Sequence, residues 1–361
     1  MPKLPEKGIP AKYKYQTVKY CHFEVDPGIS LLLTADPWFF LDAWLLQCIK
    51  RTKGDKKRCL QRAAYYAELA EGFYRAAEPI DLPIKGTLLY YGMLNLVKCY
   101  LSSHGKELET KWEHHGLTVG GTNHDEVTII SPSRNPSQVN IFHEFARTLG
   151  TPVKNRQSIA LKDIWSHIPD IHEIAFMLGH LPAKKRALLP VEIEFLVNER
   201  KDRLFTEIRY NKKNEARMSI NRFHAGYREK YFKQRGERDG WVIFRSIKRK
   251  KLSGTNWKAL YANIQKEYKK FDLVSLLTKD GYRYYCDLNP GQYHHLCCSL
   301  LLMYYIGTIA RYRPTKTKEI MVSDYLPLLT EAVETCHVQF LYQLVSLITK
   351  NICVVPHAKL Y

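Results

Sequence analysis

Apolar residues recur at helical spacing over the first hundred positions, and the period then changes twice. WFFLDAWLLQCIKR (38–51) follows Asp36-Pro37, an N-cap with a proline at the first helical position, and it ends in cations that suit a helix C-terminus. A second helix is predicted over 55–75. TLLYYGMLNLVKCYL (87–101) is a third, opening after Pro83 and stopping near His104-Gly105, where glycine can take the left-handed cap. From residue 117 the pattern alternates with period two: LTVGG and EVTIIS read as a hairpin across the polar turn TNHD. SIALKDIWSHIPDIHEIAFMLGH reads as two short helices broken at Pro169, because proline disfavours helical geometry in the residue before it. PVEIEFLV, RLFTEIRY and GWVIFRSI carry β-branched and aromatic residues at strand spacing. Helical periodicity returns after Asn289-Pro290, runs to Arg311 before Pro314, and resumes over 323–351.

The pattern predicts an α+β protein, predominantly helical, in which a discontinuous helical lobe is interrupted by a β-containing middle lobe. The expected parts are an N-terminal helical part over 1–116, a β-rich insertion over 117–284, and a C-terminal helical part over 285–361 that packs on the first. Both helical parts are highly apolar, so each needs a partner to bury its surface.

Charge narrows the partner. The 55 Lys+Arg against 36 Asp+Glu leave a net +19, which attracts polyanions, nucleic acid above all. Lys248, Arg249, Lys250 and Lys251 follow WVIFRSI, and Lys50, Arg51, Lys53, Lys56, Lys57, Arg58 and Arg62 crowd a second stretch. Aromatics Tyr227, Tyr231, Phe232, Trp241 and Phe244 lie near the first cluster and suit base stacking. Nine cysteines, odd in number and set mostly in apolar helical patterns, read as reduced thiols, and the prolines of MPKLPEKGIP stand where a secretory signal needs an apolar run. A cytoplasmic location is expected. LCCSLLLMYYIGTIA (296–310) falls short of the roughly 20 residues of a membrane span, so no membrane contact is expected.

Nucleotide-binding loops of the GxxxxGK[ST] or GxGxxG type are absent, and no cofactor is implied. No CxxC occurs; His294, Cys297 and Cys298 share a helical face, a weak metal candidate beside the reading of a helix with small packed thiols. Glu192 and Glu194 share a strand face without a following lysine of the metal-nuclease type, which favours a solvated face.

Three polar islands stand in apolar surroundings: Asn95 with Lys98, next to Tyr90 and Tyr91; His114, His115 and Gly116 in WEHHGL; and Arg311 with Arg313 in ARYRP. Charges so near a core must be paired, hydrated or bound to an anion. Asn95 reads as a tie between helices, the histidines as satisfied structural groups, and Arg311 as a partner for its own last carbonyls. The competing reading joins all three islands in one anion-binding cleft.

TLLYYGMLNLVKCYL, HHGL, LKDIWSHIPDI and a late apolar helix ending in RYRP resemble, in this order, the landmarks of the YaaC-like family of bacterial proteins, over roughly 36–355. The resemblance implies no catalytic residues. A looser similarity is to HEPN-type helical domains, whose ribonuclease members use R-x4-6-H; no histidine follows Arg311 at that spacing, so the resemblance implies the helical fold without that active site. The leading expectation is a nucleic-acid-binding or accessory protein, of a phage-defence or mobile-element system, with Asn95, Lys98, Arg313 and Lys248 to Lys251 on phosphates. The alternatives are a nuclease or nucleotide-processing enzyme using His114, His115 and Arg311, and a subunit that docks an acidic protein.

Overall fold

A computed structural model describes residues 8–23, 31–119, 125–182, 186–216, 230–252, 256–268, 272–278, 280–288 and 293–356. Its helices are α1 (Pro37–Arg51), α2 (Gly54–Ala77), α3 (Ile84–Ser103), α4 (Ile141–Thr148), α5 (Leu161–Trp165), α6 (His172–Met177), α7 (Trp257–Tyr268), α8 (His295–Tyr312), α9 (Pro314–Ile320) and α10 (Leu326–Thr349). The chain forms two compact units. One holds 34–180 and 291–349, and the other holds 1–33, 181–290 and 350–361. The fold is mixed α+β, with the β-sheet unit inserted into the helical one.

In the helical unit α1 starts where the sequence places it: Asp36 Oδ1 accepts from the Trp38 and Phe39 N–H groups at 3.0 and 3.2 Å, and Pro37 opens the helix. α3 ends at Ser103 with His104 as its C-cap, followed by Gly105 at φ +79°. α3 is the centre of this unit, with Tyr90, Met93, Leu96 and Val97 fully buried. Glycines set its neighbours close. A Cβ at Gly92 would come within 2.5 Å of Tyr74 on α2, and one at Gly307 on α8 would stand 3.3 Å from Thr87 Cα. Thr87 Oγ1 then donates to the Gly307 carbonyl at 3.3 Å. α10 adds buried Phe340, Leu344 and Val345.

The sheet unit is an antiparallel sheet with strands in the spatial order Phe232–Arg238, Trp241–Ser246, Arg203–Asn211, Leu188–Val197, Gly281–Asp287 and Leu273–Thr278. α7 covers it, packing Leu260, Tyr261, Ile264 and Tyr268 against Phe195, Ile208, Val242 and Phe244. Glu207 and Arg245 face each other across two strands, both almost fully buried, with the guanidinium 2.5 Å from the carboxylate. Glu192 and Glu194 share one face, as expected, and both meet Arg209 of the next strand, at 2.6 and 3.1 Å.

The division of the chain differs from the expected one at the start of the insertion and at the N-terminal segment. Residues 117–180 belong to the helical unit: Leu117–Thr118, Glu126–Ile129 and Gln157–Ala160 form a small separate sheet, and Tyr304 of α8 donates to the Leu117 carbonyl at 2.9 Å. Residues 8–23 belong with the large sheet, where Ile9–Pro10 pairs with Leu196–Val197 and Tyr261 donates to the Lys19 carbonyl. Period reports local geometry and is silent on which core a segment serves. TNHD lies largely, and Asn289-Pro290 wholly, outside the described residues; His294 instead caps α8, its ring accepting from the Leu296 N–H at 3.2 Å. Among the described residues no helix is long and apolar enough to cross a membrane.

Candidate functional site

Two of the three polar islands meet on α3. The close crossing at Gly307 carries the last turn of α8 across Tyr90 and Tyr91, and there Arg311 lies 5.0 Å from the Tyr91 ring and donates through Nη1 to the Tyr91 hydroxyl. Its Nε also donates to the Gly307 carbonyl at 2.9 Å, which is the capping role expected of a helix-end arginine. The remaining charge has no carboxylate: Arg311, half-buried, makes no salt bridge among the described residues.

His115 arrives from the other side. Gly116 at φ +80° turns the chain where a Cβ would press on Asn140 Cβ at 3.1 Å and on the His143 ring, so a glycine is needed for both backbone and space. The turn lays the His115 ring against Tyr90, with centroids 5.6 Å apart and planes at 23°, and its Nδ1 shares a hydrogen bond with the Tyr90 hydroxyl. Nε2 has no partner among the described residues. Burial, then the nearby charges of Arg311, Lys98 and His114, pull the imidazole down to about 4, so it is neutral at pH 7. Tyr304 closes the cluster, 5.3 Å from Tyr90 and 6.0 Å from His115. A neutral imidazole beside a guanidinium without a counter-ion can hold an anion and pass a proton.

The other expected site residues fall elsewhere. His114 is exposed, in register with Asn140 of the adjacent strand, so the histidine pair splits. Asn95 does not tie two helices together: its Nδ2 donates to the Tyr91 carbonyl of its own helix at 2.9 Å. Lys98 is taken by Glu113 at 2.5 Å and lies 5.4 Å from the Tyr66 ring. Arg313 is half-buried at the α8–α9 junction, its N–H donating to the Ile309 carbonyl. His294 is an N-cap and Cys297 and Cys298 are buried; among the described residues no three metal-binding side chains converge. In the sheet unit Lys248, Arg249 and Lys251 are exposed, whereas Lys250 pairs with Glu267 at 2.7 Å. Among the described residues the aromatics expected there do not make a stacking surface. Phe232 and Phe244 are buried in the sheet core, Tyr231 packs against it, Arg209 covers Trp241 at 5.4 Å, and Tyr227 lies outside the described residues.

The second basic stretch is different. α1 ends in Lys50 and Arg51, α2 begins just beyond Lys53, and Lys56 and Lys57 project from its first turn. All five are exposed and none forms a salt bridge among the described residues, while Arg58 pairs with Asp55 and Arg62 with Glu109. Only Thr52 and Lys53 separate α1 from α2, which keeps the two helix ends close.

Tyr304 and Glu113 were not singled out by sequence reasoning. The available signal was the tyrosine content of otherwise apolar helices, since a buried hydroxyl needs a partner. The YaaC-like Protein family matches residues 34–348, which are nearly the outer bounds of the helical unit and include the inserted sheet. No curated protein and no solved structure matches the chain.

Proposed function

The chain belongs to the YaaC-like family, and we propose that within it this protein binds nucleic acid by the phosphate backbone, through the cations at the junction of α1 and α2. One observation carries this reading: Lys50, Arg51, Lys53, Lys56 and Lys57 stand exposed at one place with no carboxylate against them among the described residues. Three other lysines of the same unit are neutralised, Lys85 by Glu334, Lys106 by Glu144 and Lys316 by Asp125, while the exposed Lys111, Lys154, Lys162 and Lys318 are spread along the chain. The patch is therefore a local concentration of charge, and neutralising phosphates there releases condensed counterions.

Fluorescence anisotropy with labelled single- and double-stranded RNA and DNA tests the reading. Binding at low salt that weakens as salt rises, and that changing Lys53, Lys56 and Lys57 together to Glu weakens further, is the expected result. Absence of binding to all four probes at low salt overturns it.

A second reading rests on Arg311, a half-buried guanidinium with no carboxylate, beside the free Nε2 of His115. That pair would process a phosphate-containing substrate, Arg311 stabilising the anion and His115 moving the proton. Under it Arg311→Ala and His115→Ala abolish nuclease or phosphatase turnover and His114→Ala does not. Equal activity in all three variants removes this reading.

A further inference from the structure

The hydroxyl of Tyr90 and Nδ1 of His115 share one hydrogen bond, and that bond decides which ring nitrogen of His115 carries the proton. Tyr90 is fully buried, and among the described residues Nδ1 is the one hydrogen-bond partner of its hydroxyl. Were the proton on Nδ1, the ring would donate to the phenol oxygen and leave the Tyr90 O–H in the core without an acceptor, which native folds nearly always avoid. With Tyr90 as donor and Nδ1 as acceptor, both groups are satisfied. Burial keeps the Tyr90 phenol protonated and, with the nearby cations, keeps the imidazole neutral at pH 7, so the single ring proton sits on Nε2.

Nε2 has no partner among the described residues and stays open to solvent, so it presents an N–H. Two more donors stand beside it. Arg311 lies 5.0 Å from the rings of both Tyr91 and Tyr312; its Nε and Nη1 are engaged by the Gly307 carbonyl and the Tyr91 hydroxyl, and its Nη2 has no partner among the described residues. Because Tyr91 accepts from Arg311, its own O–H proton is directed elsewhere, and it too meets no acceptor among the described residues. The His115 ring stands edge-on to the Tyr91 ring at 6.4 Å. No carboxylate intrudes: beyond burial, the groups that act on the His115 ring are Arg311, Lys98 and His114, and Glu113 is held by Lys98 at 2.5 Å.

Three donors, one of them cationic, and no acceptor make a place for an oxyanion and not for a ligand that must itself donate. The number of donors narrows the class. A phosphomonoester offers three unesterified oxygens and two charges, one oxygen for each donor, whereas a backbone phosphodiester offers two oxygens and one charge, and a carboxylate the same.

We propose that Tyr90, by donating to Nδ1, sets the His115 proton on Nε2, and that Nε2–H, the Tyr91 hydroxyl and Arg311 form a donor-only site for the terminal phosphate of a phosphomonoester. The proposal rests on the Arg311–His115 reading and narrows it: His115 meets the phosphate as a hydrogen-bond donor and is no base at Nε2. Tyr90 is a positioning residue that acts through the ring.

Two measurements on the full chain test this. Long-range proton–nitrogen correlation spectra of the protein carrying isotope-labelled histidine, with His115 identified by its loss in His115→Gln, read the tautomer at pH 7. Calorimetry with inorganic phosphate, methyl phosphate, dimethyl phosphate and acetate reads the site. The expected results are a ring protonated on Nε2 alone, saturable binding of inorganic and methyl phosphate, and binding of dimethyl phosphate and acetate about tenfold weaker. Tyr91→Phe should weaken phosphate binding about three- to tenfold and leave the tautomer in place. Tyr90→Phe should move the Nδ1 resonance toward that of an acceptor nitrogen without a hydrogen bond. A ring protonated on Nδ1 overturns the proposal, as do an unmoved Nδ1 resonance in Tyr90→Phe, failure of methyl phosphate to bind up to millimolar concentration, or equal affinity for dimethyl phosphate. The enzyme reading fails separately. Methyl phosphate binding to the Nε2–H protein without turnover of any phosphate substrate removes catalysis and leaves the site, whereas turnover with an Nδ1–H ring leaves His115 as a base and removes this proposal.

Discussion

Arg311 and His115 are each ordinary alone. Together they make a positive, partly buried spot that tyrosines surround without neutralising, and the proton of His115 reports on it. Its folded pKa, about 4, lies below the ordinary histidine value of 6.5, so the unfolded chain takes up the proton first as pH falls. Stability from the neutral ring is therefore fully present above about 6.5 and is lost progressively as pH falls toward about 4. The stability advantage of the native chain over His115→Gln should shrink across that window, which urea unfolding at a series of pH values will show. A constant difference would mean that the ring titrates alike in both states. An anion held beside Arg311 would cancel part of the repulsion and raise the imidazole again, so anion binding below pH 6 should take up protons. Calorimetry of phosphate binding in two buffers of different ionisation enthalpy reads this directly.

Helices and strands impose the next constraints. The α3–α8 crossing depends on Gly307, where a Cβ meets the backbone of Thr87 at 3.3 Å and the Gly86 carbonyl at 3.4 Å. Gly307→Leu should cost about 1–3 kcal/mol by overpacking and, by pushing α8 outward, detach Arg311 from Tyr91; thermal melting and the anion titration measure the two effects. In the sheet, Glu207→Ala leaves the Arg245 guanidinium without its carboxylate at a site 5 % exposed. A loss of about 3–5 kcal/mol is expected in urea unfolding, whereas Glu192→Ala, whose partner Arg209 is half-exposed and keeps Glu194, should change stability by less than about 1 kcal/mol. At the start of α1, Asp36→Ala removes the acceptor of two helix N–H groups and should cost about 1 kcal/mol.

For the whole molecule the deciding quantity is where charge is left over. The net +19 does not by itself make a binding face. Among the described residues several cations are paired, including the expected Lys98 and Lys250, while five stand exposed without a salt bridge at the α1–α2 junction and, within the sheet unit, Lys248 and Arg249 are exposed. Changing Lys53, Lys56 and Lys57 to Glu should reduce the slope of log affinity against log salt by about 0.7–0.9 for each phosphate that the variant no longer neutralises. A triple variant with the native slope would place the phosphate-binding groups elsewhere.

Helix ends, strands and the interrupted helical lobe were legible in the sequence, because caps, prolines and hydrophobic period act over a few residues and carry their own physics. Asp36-Pro37, His104-Gly105 and the three long strands are such cases. The islands were legible too, as polar groups in apolar runs, but their fates were not. Neither Glu113 opposite Lys98, nor Tyr91 as the common partner of Asn95 and Arg311, nor the split of His114 from His115, can be deduced from spacing, since the surroundings that decide each arrive from distant segments. The same holds for residues 8–23 and 117–180, whose local pattern is strand-like in part while their membership depends on which core buries them. Local sequence determined which elements form; only the tertiary packing decided which charges were neutralised and which were left open.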